Sequence, residues 1–295
     1  IWMYDKDYAI AEQKLDQIEK QMKDANLVLQ HTDGVRYHLV MQRALLAANR
    51  GDSVSADRLY AKAKTMLEDN RSDLTLIDYH TAVGQFYLNN KKYNLALSEL
   101  LYGYWQSIES DSSARLAKVN RLLARLFQER RVYDKAIEYL SQAADVYDGY
   151  PGSPILADVL EQMGDIYFHQ GQFNLALVHY FNVLDHDSTN KNINRIIDIR
   201  LSLAATYLQL FNYPLAEQYL DRATGLLEFA DQPQLEAKAA LLHSGLSYHK
   251  NNSEDVIANA KRALALIENA PDDTGFIKQQ SHRLLGLGYE QAGEY

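Results

Sequence analysis

The sequence predicts an all-α chain, a solenoid of antiparallel helix pairs. Three observations carry this: a column of small residues, two further columns in phase with it, and a shortage of turn-forming residues. The small-residue column runs Ala44, Gly84, Ala124, Gly164, Ala204, Gly245 and Gly286, at steps of 40, 40, 40, 40, 41 and 41 residues. Twelve residues on stand Ala56, Ala96, Ala136, Ala176 and Ala216, with Ile257 breaking the series. Three residues before most of those alanines comes an aromatic: Tyr93, Tyr133, Phe173 and Tyr213, with Ser53 the exception. Self-similarity at a fixed period of this size marks stacked repeats. Only 5 Pro and 14 Gly in 295 residues favour long helices over many short strands.

Each repeat reads as two helices. Leu160, Met163, Gly164 and Tyr167 recur at three- and four-residue spacing, which is one face of a helix. Leu175, Ala176, Val178, His179 and Leu184 continue on a second helix after a turn at Gly171. Gly51 and Gly293 hold the same turn position, where a helix-ending conformation is wanted. Polar connectors separate the repeats, at Asp69–Ser72, Glu109–Ser113, Asp148–Pro154, Asp185–Asn192, Asp231–Gln234 and Pro271–Gly275. Ser72, Ser113, Ser153 and Thr274 are their expected helix N-caps, and Pro214 falls in the first turn of a helix.

The expected organisation is one solenoid over 1–295, because stacked units share a continuous core. Residues 1–36 form an N-terminal helical cap or partial repeat, with Tyr8, Ala11, Leu15 and Ile18 on the inner face of a second helix. Repeats lie near 37–76, 77–116, 117–156, 157–196, 197–237 and 238–278, and 279–295 is a truncated repeat. A solenoid end needs a cap. The natural protein is therefore expected to continue past Tyr295, or to cover that face with another element.

Composition narrows the function. The net charge of −9 argues against a phosphate-binding surface, so nucleic acid is excluded as a partner. The chain has no cysteine, which removes disulfides, thiol catalysis and Cys-based zinc sites and permits a cytoplasmic or a periplasmic setting. No apolar run approaches the roughly 18 residues that cross a bilayer. The nine His are scattered, without His-x-His or His-Glu-x-x-His spacing, so no metal or cofactor is expected. Asp185–Asn190 opens like a calcium loop, but it lacks the sixth-place Gly and has Ile196 where the bidentate Glu belongs. No nucleophile or phosphate-loop motif is present, so the chain reads as non-enzymatic.

The columns resemble the tetratricopeptide repeat. Met163-Gly164, Tyr167, Gly171-x-Phe173 and Ala176 carry the likeness, as do Leu285-Gly286, Tyr289, Gly293 and Tyr295. The period of 40 exceeds the family's usual 34, and longer repeats of this kind are similar to those of bacterial regulators and sensors. The resemblance implies a right-handed superhelix that binds a protein or peptide segment in its concave groove. The alternative it implies is a ligand-sensing or regulatory domain of a larger bacterial signalling protein or transcriptional regulator. Open solenoid ends also offer a surface on which two copies can stack into a homodimer.

In that family the first helix of each pair lines the groove. Carried over, the lining begins with His38, Met41 and Leu45, then Thr81 and Gln85. A basic strip follows at Lys118, Arg121 and Arg125, and an acidic strip at Asp158, Glu161 and Asp165. An apolar half comes from Leu201, Ala205, Leu208, Leu242, Leu246 and Leu287. One reading is a groove for a peptide with one charged and one hydrophobic end. The other is that the two charged strips simply pair with each other as exposed ion pairs of small worth.

Overall fold

The computed structural model describes residues 2–24, 32–68, 73–147, 153–190, 192–229, 232–268 and 275–293. Among these, every regular element is helical. The chain forms two compact units, residues 1–146 and 147–295.

The first unit holds α1 (Trp2–Asp24), α2 (Thr32–Asn49), α3 (Ser53–Glu68), α4 (Asp73–Asn89), α5 (Tyr93–Glu109), α6 (Ser113–Glu129) and α7 (Tyr133–Tyr147). The second holds α8 (Pro154–His169), α9 (Phe173–Asn190), α10 (Ile193–Gln209), α11 (Tyr213–Thr224), α12 (Pro233–His249), α13 (Ser253–Leu266) and α14 (Gly275–Ala292). A single 3₁₀ turn, Leu227–Phe229, follows α11. Consecutive helices pair as α2/α3, α4/α5, α8/α9, α10/α11 and α12/α13. First helices also touch the first helix of the next repeat, as α4 does α6, α10 does α12 and α12 does α14.

The core is a set of columns at steps of 40. From the second helices come Ala56, Ala96, Ala136, Ala176, Ala216 and Val256, all buried. Four residues on come Tyr60, Leu100, Leu140, Tyr180, Leu220 and Ala260, also buried. The small residues of the first helices face this second column. A Cβ on Gly84 would lie 2.7 Å from Leu100, and one on Gly164 would lie 2.6 Å from the Tyr180 ring. Aromatic pairs repeat in step: Phe127 stacks on Tyr139, Tyr167 on His179 and Tyr207 on Tyr219, with centroids 5.3–5.6 Å apart.

The turns inside the helix pairs follow the same period from residue 51 to residue 251, and the next, Gly293, lies 42 residues on. Gly51, Gly171 and Gly293 have φ of 82°, 74° and 75°, as their residue type predicts. Lys91, Arg131, Phe211 and Asn251 hold the same left-handed position without being glycine, at φ of 55–59°. The next residue caps the second helix. The side chains of Asp52, Asn212 and Asn252 accept from backbone N–H groups three residues on, at 3.0–3.3 Å.

Several expectations are corrected. Ser113 is the first residue of α6 rather than its cap, and Ser112, at the cap, makes no side-chain capping bond. Ser153 stands at the cap of α8 but likewise makes none, while Asn192 caps α10 through Arg195 N–H. Ser72 and Thr274 lie outside the described residues. The segment 185–190 is the end of α9, not a connector, so the calcium-loop likeness was to a helical stretch. In α1, Tyr8, Ala11 and Leu15 are half-buried, but Ile18 is exposed. This helix is held by polar bonds, with Arg43 at 2.6 Å from Asp16 and 2.8 Å from Glu19.

The small-residue register also shifts in the sixth repeat. The period stays at 40 through the turn at Asn251, so the column passes from Ala204 to Ser244, not to Gly245. Ser244 is fully buried, and its hydroxyl donates to the Val256 carbonyl at 2.8 Å. A Cβ on Gly245 would meet only Leu208, at 3.9 Å. Gly164→Ala therefore overpacks the Tyr180 contact and should cost about 1–3 kcal/mol. Gly245→Ala meets no such obstacle and should be neutral, or stabilise by up to about 1 kcal/mol through helix propensity. Urea unfolding of the two variants beside the parent chain checks the opposite signs.

Candidate functional site

Exact repetition places like positions of successive first helices side by side. In the second unit this builds a groove of about 1150 Å³ from α8, α10, α12 and α14. Its lining includes Asp165, Lys238 and Arg283 beside the small Ala205 and Gly245 and the apolar Leu208, Leu241, Leu242, Leu287 and Tyr248. Phe211 and Phe276, 72% and 61% exposed, stand on its walls. Such a space, mostly apolar with a few polar groups, has the character of a ligand site.

Beside the groove, charged groups form a cluster that reaches its lining through Asp165, Ser202 and Lys238. Asp158, Asp198 and Lys238 occupy one column at steps of 40. Lys238 Nζ donates to Asp198 Oδ1 at 2.6 Å and to Ser202 Oγ at 3.1 Å. Arg195 pairs with Asp158 and lies 3.8 Å from Glu161, and it also donates to the Pro154 carbonyl. Asp165 accepts from the Tyr180 hydroxyl at 2.8 Å. In the first unit, Arg115 makes the same kind of inter-repeat pair, with two bonds of 2.9 Å to Asp78 across the same 37-residue separation.

Four carboxylates thus crowd around Arg195 and Lys238, and burial and crowding shift protonation. Burial, then Asp198 and Asp165, push the Glu161 carboxyl up to about 7 against the pull of Arg195 and Lys238. Burial also raises Asp165, opposed by Lys238 and the Tyr180 hydrogen bond. Burial works against the Lys238 ammonium, but Asp198, Asp165 and Glu161 hold its pKa above the ordinary lysine value.

Ten of the residues expected from sequence divide into four groups. Asp165, Leu208 and Leu242 line the groove, while Asp158 and Glu161 belong to the adjoining cluster. Leu201 and Leu246 are corrections: at 0% and 4% exposure they are core residues. Leu246 was chosen through the one-residue register shift, which turns its side chain inward. Lys118, Arg121 and Arg125 lie in the first unit, where Lys118 is exposed. Arg125 donates to Asn89 at 3.1 Å and to Glu129 at 3.0 Å. Within its own unit the acidic strip meets Arg195 and the Tyr180 hydroxyl. Asp198, Lys238, Phe211 and Phe276 were missed. The first two lie in the column six residues before Ala204 and Ser244, so the unbroken 40-residue period would have found them.

Among the described residues, no group of three or more His, Asp or Glu is placed to hold a metal ion. No described helix is long and apolar enough to cross a membrane.

Residues 115–186 match the family model described as Tetratricopeptide repeat. No curated protein matches the sequence. Solved structures do. The apo form of the quorum sensor NprR from B. thuringiensis is 15% identical, with 99% of this chain and 80% of that one covered at a TM-score of 0.72. Aspartyl phosphate phosphatase F from Bacillus subtilis is 14% identical, covering 93% and 74% at 0.67. A Rap protein complexed with competence and sporulation factor is 13% identical, covering 96% and 81% at 0.62. The fold is a tetratricopeptide-type helical solenoid of the long-repeat kind.

The raised Glu161 fixes the sign of a pH effect. The folded chain keeps a proton that an unfolded glutamic acid, with its ordinary value of 4.5, gives up. Its contribution to stability is therefore present at low pH and is lost as pH rises through about 7. The unfolding free energy should fall between about pH 5 and pH 7, at a limiting slope of about 1.4 kcal/mol per pH unit, and the thermal midpoint should fall with it. Glu161→Gln should flatten that fall, as read by circular dichroism melts across the range.

Proposed function

We propose that this chain is a non-catalytic scaffold that holds an extended segment of another protein, or a peptide, along the groove of residues 147–295. The observation that carries this is the groove itself, a mostly apolar space of about 1150 Å³ lined by first helices of four successive repeats. Half-buried leucine and exposed phenylalanine on such a face are costly in water and are relieved when a partner covers them. Parallel helices with like positions in register suit a partner running across them, each repeat meeting the next stretch of chain.

The Rap structure complexed with competence and sporulation factor supports a peptide-sized occupant. The likeness to a quorum sensor, NprR, favours the finer reading in which binding serves a regulatory or sensing role in a larger protein. The phosphatase among the similar structures raises the catalytic alternative. In the acidic cluster, Asp158, Glu161 and Asp198 are engaged by Arg195 and Lys238, an arrangement for positioning rather than turnover.

Cross-linked affinity capture from the source cell separates the two faces. Leu208→Asp with Leu242→Asp should abolish capture of the partner, and Arg121→Glu with Arg125→Glu should leave it intact. Capture that survives the leucine pair and fails with the arginine pair would move the site to the first unit.

A further inference from the structure

Position 43 breaks a column of the core. At steps of 40 after it stand Val83, Leu123, Met163 and Leu203, none more than 8% exposed. Three of them pack against the preceding second helix. Val83 clusters with Ala56 and Tyr60, Leu123 with Ala96 and Leu100, and Leu203 with Ala176 and Tyr180. The helix that precedes α2 is α1, and at this contact an arginine replaces the apolar side chain. Its guanidinium reaches Asp16 at 2.6 Å and Glu19 at 2.8 Å.

The rest of the contact has the same character. Arg50, two turns further along α2, lies 3.6 Å from Glu12, and the Tyr8 hydroxyl donates to the Asn49 carbonyl at 3.2 Å. The charged side chains of these pairs are between 32% and 70% exposed, so water and salt reach all of them. Among residues 8–21 of α1 none is buried, and Ala11 and Leu15 are only half-buried. By contrast, α3 buries Ala56, Tyr60, Ala63 and Leu67. Docking of α1 therefore rests chiefly on exposed ion pairs of small individual worth, without the hydrocarbon burial that holds α3.

The same acids disfavour the helix when it stands alone. Glu12, Asp16 and Glu19 follow one another at spacings of four and three along one side of α1, where like charges repel. Arg43 and Arg50 offset that repulsion only while α1 is docked. Docking and helix formation are thus coupled, and both weaken as salt screens the pairs.

We infer that α1 is a strap on α2 that releases as a unit, its release set by ionic strength, while the repeats that follow stay folded. Closed, it engages Arg43 and Arg50; open, it leaves both guanidinium groups to water.

Hydrogen exchange of the whole chain tests this, read by mass spectrometry of peptic fragments in about 0.05 M and about 0.5 M sodium chloride. Fragments from α1 should exchange faster than those from α4 in both. The higher salt should speed α1 at least threefold and leave α4 unchanged. Arg43→Glu should give a like acceleration of α1 at low salt. Combining it with Asp16→Arg and Glu19→Arg should reverse the acceleration, which a general loss of stability would not do. Exchange in α1 as slow as in α4, or indifferent to salt and to Arg43→Glu, overturns the inference. So does acceleration of α1 and α4 together, which makes the helix part of one cooperative unit. A charge swap that restores nothing overturns it too, because the ion pairs then do not hold the strap.

Discussion

The close approach of each first helix to its partner, at a residue too small to obstruct the side chain sixteen positions on, governs the rest of the structure. Gly84 receives Leu100, and Gly164 receives the Tyr180 ring, at distances that exclude even a methyl group. Once the helices of each pair meet at that depth, the turn between them is short and needs one left-handed residue. Gly51, Lys91, Arg131, Gly171, Phe211 and Asn251 supply it at steps of 40. A constant turn and a constant contact keep the period constant. A constant period aligns position with position along the first helices, which is what makes a groove and a charged ladder from separate repeats.

The cost of the left-handed turn shows where packing overrides residue preference. Such a position costs a non-glycine residue roughly 1–2 kcal/mol, and four of the six accept that cost. Lys91, Arg131 and Asn251 are polar and sit at exposed turns. Phe211 has no comparable excuse within the chain, and that contrast marks the groove wall as a place shaped for something other than stability.

The repeat was legible because its evidence lies in residue types that geometry demands: small residues at the helix crossing, alanine twelve on, aromatics at the start of the second helix. The left-handed positions without glycine were not legible, since nothing in Lys91 or Phe211 announces a positive φ. Nor were the caps, because Asn192, Asn212 and Asn252 cap through local bonds, while Ser112 and Ser153, at the same position, make none. The slip at Gly245 came from treating glycine as the better small residue. Ser244 fills the crossing because its hydroxyl finds the Val256 carbonyl, a partner invisible from sequence. That one-residue slip exchanged a groove position for a core one at Leu246, and hid Lys238, the lysine that answers Asp198.

The absence of cysteine allows a direct look at the groove. Single cysteines at Gln209, on the groove wall, and at Gln218, exposed on α11, can each carry an environment-sensitive fluorophore. If the partner lies across the first helices of residues 147–295, adding the captured partner segment shifts and shields the label at 209 and leaves the label at 218 unchanged. A response at 218 with none at 209 would contradict it, placing the partner on the second helices and leaving the groove empty of its proposed role.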